Sequence, residues 1–200
     1  MQKIIGLTGG IGSGKTTVSH FIEEMGYPVY NSDAKAKDLV NKEEPLKKKI
    51  LQLLGDQAYD ENGNYNRTYV SHQVFMHTEL LKQLNAIIHP AVNVDFQEWV
   101  QKQSQEIIFK ETALLFELKL NTHCYKSVLI TADECRRIKR VMDRDRKTYR
   151  QVEEIIHQQM PEQKKIKLAD YVIENNKDLH HLQLSTQKVI EDLLYSTKTS

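Results

Sequence analysis

Gly9-Gly10-Ile11-Gly12-Ser13-Gly14-Lys15-Thr16 decides the fold. The run satisfies G-x-x-x-x-G-K-S/T, the spacing of a phosphate-binding loop, in the context that such a loop needs. Before it, Lys3-Ile4-Ile5-Gly6-Leu7-Thr8 predicts a short strand. After it, Thr16 to Met25 predicts a helix, with Val18, Phe21, Ile22 and Met25 at i, i+3, i+4, i+7 and Gly26 in the C-terminal capping position. The glycines let the backbone turn tightly and aim the N–H groups from Gly10 through Ile11, Gly12, Ser13, Gly14, Lys15, Thr16 and Thr17 at phosphate oxygens, helped by the positive end of the helix. Lys15 is expected to reach the β- and γ-phosphates, and the Thr16 hydroxyl to ligate a Mg²⁺ between them. The ligand this loop implies is a nucleoside triphosphate.

Outward from the loop, the same alternation repeats. Tyr27-Pro28-Val29-Tyr30 reads as a second strand, ending at Asn31-Ser32-Asp33 before a helix over Ala34 to Asn41. Strands resume at Ile107-Ile108-Phe109, Ser127 to Thr131 and Tyr171 to Asn175. About five strands alternating with helices predict an α/β fold with a parallel sheet in a three-layer core. Between Pro45 and Gln103 the apolar residues follow helical spacing, as in Leu46, Ile50, Leu53 and Leu54, so this stretch reads as a helical insertion, with Pro90 marking a helix boundary after His89. One domain over residues 1–200 results, with 1–42, 104–135 and 151–200 as nucleotide-binding core, 43–103 as acceptor-binding insertion and 136–150 as a basic lid. A closing helix carries Leu182, Val189, Ile190, Leu193 and Leu194, and Ser196 to Ser200 is expected to fray.

Composition narrows the class. With 200 residues, 40% hydrophobic, 28% charged and 8% aromatic, the chain can bury a core, which excludes wholesale disorder and fibrous architecture. No apolar run approaches the roughly 20 residues that span a bilayer, and no signal-peptide hydrophobic region opens the chain, so a cytoplasmic protein without a membrane partner is expected. Cys124 and Cys135 lie far from C-x-x-C spacing and are expected to be reduced thiols.

The loop specifies the donor but not the acceptor. Asp33 follows the second strand, where a carboxylate could orient or deprotonate an attacking hydroxyl; alternatively Ser32 or Asp33 caps the helix beginning at Ala34, and the two roles can coexist. Arg136 to Arg150 holds eight basic residues against Asp143 and Asp145, a local balance of +6 in a chain of net charge +1. Guanidinium groups stabilise a transferring phosphoryl group bidentately, so this cluster reads as a lid over the phosphates, with Arg136, Arg140 and Arg144 on one helical face. Nucleic acid is not the expected partner, because Tyr149 stands without a base-stacking aromatic array. Glu111 and Glu117 bracket the third strand region and either could hold a magnesium-bound water, with Glu117 equally suited to start a helix, whereas Asp60-Glu61-Asn62-Gly63 and Asn176-Lys177-Asp178 match GTPase motifs too poorly to support GTP specificity.

These residues resemble the dephospho-coenzyme A kinase family over nearly the whole chain. Leu7 to Val18 looks like that family's phosphate loop, and Asn31-Ser32-Asp33 falls where the family carries D-x-D, its second aspartate matching Asp33. Leu84 to Pro90 is similar to its L-x-x-x-x-H-P segment, Leu114-Leu115-Phe116-Glu117 to P-L-L-F-E, and Lys139-Arg140, Arg144-Asp145 and Ala169 to Ile173 with Asn175 to its C-terminal pattern. The resemblance implies a P-loop kinase that uses ATP and Mg²⁺ to phosphorylate the 3′-hydroxyl of the dephospho-coenzyme A ribose. It further implies Asp33 as base or hydroxyl-orienting group, Lys15, Arg140 and Arg144 on the phosphates, Arg67 and His89 in the acceptor region, and Asn175 near the adenine. Asn31 in place of the first aspartate removes one possible magnesium-linked carboxylate, and Ala113 replaces a proline. A nucleoside or nucleoside-monophosphate kinase would share the loop and lid, and an ATP-switched regulator would share the loop without any acceptor.

Overall fold

The computed structural model describes residues 2–198, the side chains of 75, 76, 197 and 198 excepted. The chain divides into two compact units, one comprising residues 1–30 and 103–200 and the other Asn31–Lys102. The first holds a five-stranded sheet of β1 (Lys3–Thr8), β2 (Val29–Asn31), β3 (Ile107–Glu111), β4 (Lys126–Thr131) and β5 (Tyr171–Glu174), ordered β2-β3-β1-β4-β5. β1 pairs in parallel with β3 and β4, and β4 with β5.

Both faces of the sheet are covered. Ile5 and Leu7 of β1 pack with Phe109, Val128, Ile130 and Ile173 against Val18 and Ile22 of α1 (Lys15–Glu24) and Leu182, Ile190 and Leu193 of α9 (Leu179–Lys198). On the opposite face Gly6 lies under Leu115, whose Cδ2 would be 2.8 Å from a Cβ added at Gly6. Strands buried on both sides read as short apolar runs without alternation, as Ile107-Ile108-Phe109 of β3 and Val128-Leu129-Ile130 of β4 do. The α1 helix ends as its sequence predicts, with Gly26 at φ 87° donating its N–H to Glu23 O. α9 continues through Ser196 to Lys198 rather than fraying there, and residues 199 and 200 of the expected tail lie outside the described residues.

The second unit is helical: α2 (Ser32–Lys42), α3 (Glu44–Leu54), α4 (Arg67–Met76) and α5 (Thr78–Gln101). Val40, Leu46, Ile50, Leu54, Tyr59, Val70 and Leu84 form its core, and the Tyr59 hydroxyl donates to Val40 O at 2.8 Å. The sequence groups residues 34–42 with the nucleotide-binding core, but α2 packs on α3 and α5 and belongs to the helical unit. Pro90 does not mark a boundary: it lies inside the 24-residue α5. Proline deprives the carbonyl four residues earlier of its donor, here that of Ala86. Both Pro90 and Ala86 are exposed, so water can serve that carbonyl while the packed face of the helix stays intact.

The remaining helices are α6 (Glu134–Asp145), α7 (Tyr149–Gln158) and α8 (Glu162–Leu168). Among the described residues no helix is long and apolar enough to cross a membrane. Cys124 is partly buried and Cys135 exposed, and neither is in a disulfide. Burial pushes the Cys124 thiol up to about 11, against the opposing pull of Lys110 and with a further push from Asp170. A disulfide reagent at about pH 8 is therefore expected to label Cys135 rapidly and Cys124 only on unfolding; equal rates at the two thiols would contradict this burial.

Candidate active site

The register of the central strands builds the phosphate end of the site. Leu7 pairs with Glu111, so the acidic end of β3 lies beside the end of β1, from which the phosphate loop departs. Glu111 is 1% exposed. Its Oε1 takes the Lys15 ammonium at 2.7 Å and its Oε2 accepts the Ser19 hydroxyl at 2.7 Å. A carboxylate buried to this degree requires such partners. Lys15 opens α1 and Ser19 follows it by four residues, so one turn of helix presents both groups to Glu111. The spacing of the loop glycines is equally physical. Gly12 and Gly14 adopt φ 76° and 98°, conformations that a side chain disfavours, and a Cβ at Gly12 would meet Arg137 O at 2.5 Å.

The loop is braced from three directions. Asn175, 8% exposed, donates its Nδ2 to Ser13 O at 2.8 Å and its backbone N–H to Thr131 O. The Asn175 amide supports the phosphate loop from beneath Gly14, whose absent Cβ leaves room for it. Arg140 donates to Asn175 O at 2.9 Å and to Gly12 O at 3.4 Å. Arg144 makes a two-pronged contact with Asp145 at 2.7 and 2.8 Å. Within the loop the Ile11 N–H is already taken, donating to Gln159 Oε1 at 3.0 Å, so it does not join the row of amides aimed at phosphate.

The basic segment is part of a packed helix pair. Ile138 and Val141 of α6 meet Val152 and Ile156 of α7, and Ile11 of the loop enters the same cluster. α7 is started by a capping box in which Thr148 and Gln151 serve each other's backbone N–H groups. Arg137 belongs to this apolar side of α6 and is 3% exposed, donating Nε to Ile11 O at 3.0 Å and Nη1 to Glu162 at 2.9 Å. Sequence reasoning missed Arg137, Gln159 and Ser19. A signal existed for the first: an arginine on the same helical stripe as Ile138 and Val141 must find a buried acceptor. Glu117, weighed as a magnesium-linked group, is tied up in packing, its Oε1 accepting from Met160 N at 3.0 Å and pairing with the buried Lys165 at 2.9 Å.

Asp33, Arg67 and His89 all lie in the helical unit. Neither Ser32 nor Asp33 caps α2: the cap is Asn31, whose Oδ1 accepts from Ala34 N at 2.8 Å. Asp33 stands exposed in the first turn. Arg67 is exposed at the start of α4, which Asn66 caps through Tyr69 N. Burial lowers the pKa of His89, which favours the neutral imidazole at physiological pH.

A parallel α/β sheet whose first strand feeds a glycine-rich loop, with a lysine and a buried carboxylate at its mouth, defines a P-loop kinase. The dephospho-CoA kinase family model matches residues 3–181. The chain belongs to that family. It is 37% identical over 190 residues to the dephospho-CoA kinase of Fusobacterium nucleatum, covering 95% of this chain and 98% of that one. A solved Thermus thermophilus protein, 32% identical, superposes with a TM-score of 0.85 over 96% of this chain and 98% of its own. The dephospho-CoA kinase from Campylobacter jejuni, 22% identical, shares the fold with a TM-score of 0.71, covering 98% of this chain and all 100% of its own.

Proposed function

We propose that the chain transfers the γ-phosphoryl group of ATP to the 3′-hydroxyl of the dephospho-coenzyme A ribose, giving coenzyme A and ADP, the last step of coenzyme A formation. The observation that carries this reading is the family match over residues 3–181, which includes the phosphate loop, the helical unit and the braced lid. The loop amides of Gly12 and of Gly14 to Thr17 receive the triphosphate, while the Ser13 N–H closes the turn by donating to Gly10 O at 3.1 Å. Lys15 leaves Glu111 Oε1 for the β- and γ-phosphates, while Ser19 keeps the freed carboxylate in place. Thr16 Oγ1 and Glu111 are hard oxygen donors of the kind Mg²⁺ accepts, and among the described residues no cluster of three His, Cys, Asp or Glu side chains could hold a metal without the nucleotide. Bound there, the ion would neutralise phosphate charge.

Asp33 orients the acceptor hydroxyl and takes its proton, and Arg67 and His89 hold the acceptor, the neutral imidazole acting through hydrogen bonds. Arg140 and Arg144 supply positive charge at the phosphates, the latter exchanging Asp145 for a phosphate oxygen. A water-soluble acceptor and donor fit a cytoplasmic reaction. The test is ADP release with MgATP and a panel of dephospho-coenzyme A, nucleosides, nucleoside monophosphates or no acceptor, with product masses measured. ADP release is expected with dephospho-coenzyme A alone, whose mass rises by one phosphate. Release with a nucleotide acceptor alone would reassign the substrate, and release indifferent to any acceptor would favour an ATP-switched regulator.

A further inference from the structure

Ile11 at the tip of the phosphate loop has both of its peptide groups engaged by side chains far along the chain. Its carbonyl accepts Arg137 Nε at 3.0 Å, and its N–H donates to Gln159 Oε1 at 3.0 Å. Its side chain packs with Ile138, Val141 and Val152. The guanidinium that reaches it is 3% exposed and fills the space above Gly10, where an added Cβ would come within 2.5 Å of Nη2. The other end of the guanidinium pairs with Glu162 at 2.9 Å in the first turn of α8. Three elements therefore converge on one loop residue: α6 through Arg137, the segment after α7 through Gln159, and α8 through the Arg137–Glu162 pair.

We propose that Arg137 is a positioning residue for the nucleotide: it fastens the tip of the phosphate loop to the lid helices, so that the loop is held in its receiving shape before ATP arrives. The inference rests on the kinase reading above. Arginine suits the task because Nε and Nη1 diverge toward two acceptors at once, whereas a lysine ammonium at the end of a flexible stem can serve only one of these positions well. Arg137 donates to the loop carbonyl of Ile11 and to Glu162, so its removal acts on the loop. Without it the loop carbonyl loses its donor and Glu162 its cation, and part of the ATP binding energy goes into ordering the loop.

The test uses the full chain carrying Arg137→Met, Arg137→Lys or Glu162→Gln, with KM for MgATP, KM for dephospho-coenzyme A, kcat, calorimetric Kd for MgADP and Tm measured on each. Arg137→Met is expected to raise both KM for MgATP and Kd for MgADP by about tenfold or more, the size of one lost buried hydrogen bond to a charged group. KM for dephospho-coenzyme A is expected to stay within about twofold, the split that marks a nucleotide-side effect. Arg137→Lys, which keeps the charge for Glu162, is expected to fall between wild type and Arg137→Met, and it carries the test if the Met variant does not fold. Glu162→Gln leaves the Nε bond to Ile11 in place and is expected to change Kd for MgADP least. A Tm decrease with unchanged Kd for MgADP would overturn the proposal and reduce Arg137 to packing, and so would equal rises in both KM values. Wild-type protein that binds MgADP yet phosphorylates no dephospho-coenzyme A would defeat the substrate reading, while the Kd comparison would still decide the role of Arg137.

Discussion

Lys15→Met is expected to remove phosphoryl transfer and to weaken the fold in the same step, and a second substitution separates the two losses. The Lys15 side chain is 13% exposed and the side chain of its partner Glu111 2% exposed, with 2.7 Å between Nζ and Oε1. Removing one member of such a pair strands a buried carboxylate, which costs about 3–5 kcal/mol when nothing replaces the cation. Ser19 still donates to Oε2, which holds the loss toward the lower end of that range. The catalytic loss is separate, because a cation aimed at phosphate charge that grows in the transition state is worth roughly 10²–10³ in kcat. Adding Glu111→Gln to Lys15→Met replaces the stranded charge with a neutral amide of the same shape that can still accept from Ser19. Denaturant titrations are expected to show most of the stability returning in the double variant, while kcat/KM stays at the level of Lys15→Met or below. Recovery of activity along with stability would mean that Lys15 serves the fold and not the phosphates.

The difference between what the sequence discloses and what it hides follows from how local each signal is. The phosphate loop and β1 are local: glycine spacing, a lysine and a flanking apolar run all lie between Lys3 and Thr16, and the structure places them as read. The other strands are legible from short apolar runs, Ile107-Ile108-Phe109 in β3 and Val128-Leu129-Ile130 in β4, while the charged end of β3, Lys110 and Glu111, is buried as well. Pro90 misleads because a breaker signal is judged without knowing that its face of α5 meets water and that the other face packs on α2, α3 and α4. The cap of α2 is assigned one or two positions late because Asn31, Ser32 and Asp33 are all competent caps and only the backbone geometry selects Asn31. The brace on Ile11 is hidden most deeply. Its partners are 126 and 148 residues away, and only the stripe that Arg137 shares with Ile138 and Val141 sets it apart from its solvent-facing neighbours in the basic run. Charge counting treats those cations as equivalent, whereas burial divides them into a loop brace at Arg137, a loop contact at Arg140 and an exposed pair at Arg144.

That selection of Asn31 as cap makes Asp33 a clean target. Asp33→Ala is expected to lower kcat by about 10²-fold or more, near 2.7 kcal/mol of transition-state stabilisation, with Kd for MgATP and Tm close to wild type. Were Asp33 the cap, its loss would expose the backbone donors of α2 and the helical unit would weaken together with activity. Asn31 Oδ1 already satisfies Ala34 N, and Asp33 is exposed in the following turn, where its contribution through the helix dipole is small and screened. Asn31→Ala supplies the contrast: it is expected to cost about 1 kcal/mol of stability as a lost cap. Asp33→Asn then divides the two duties assigned to the carboxylate. An amide oxygen still accepts a hydrogen bond from the 3′-hydroxyl but does not take its proton. A kcat as low as that of Asp33→Ala would assign Asp33 the role of base, whereas near-complete retention would assign it orientation alone. An Asp33→Ala enzyme with undiminished kcat would remove Asp33 from the reaction and return the search for the proton acceptor to the carboxylates of the nucleotide-binding unit, Glu111 first.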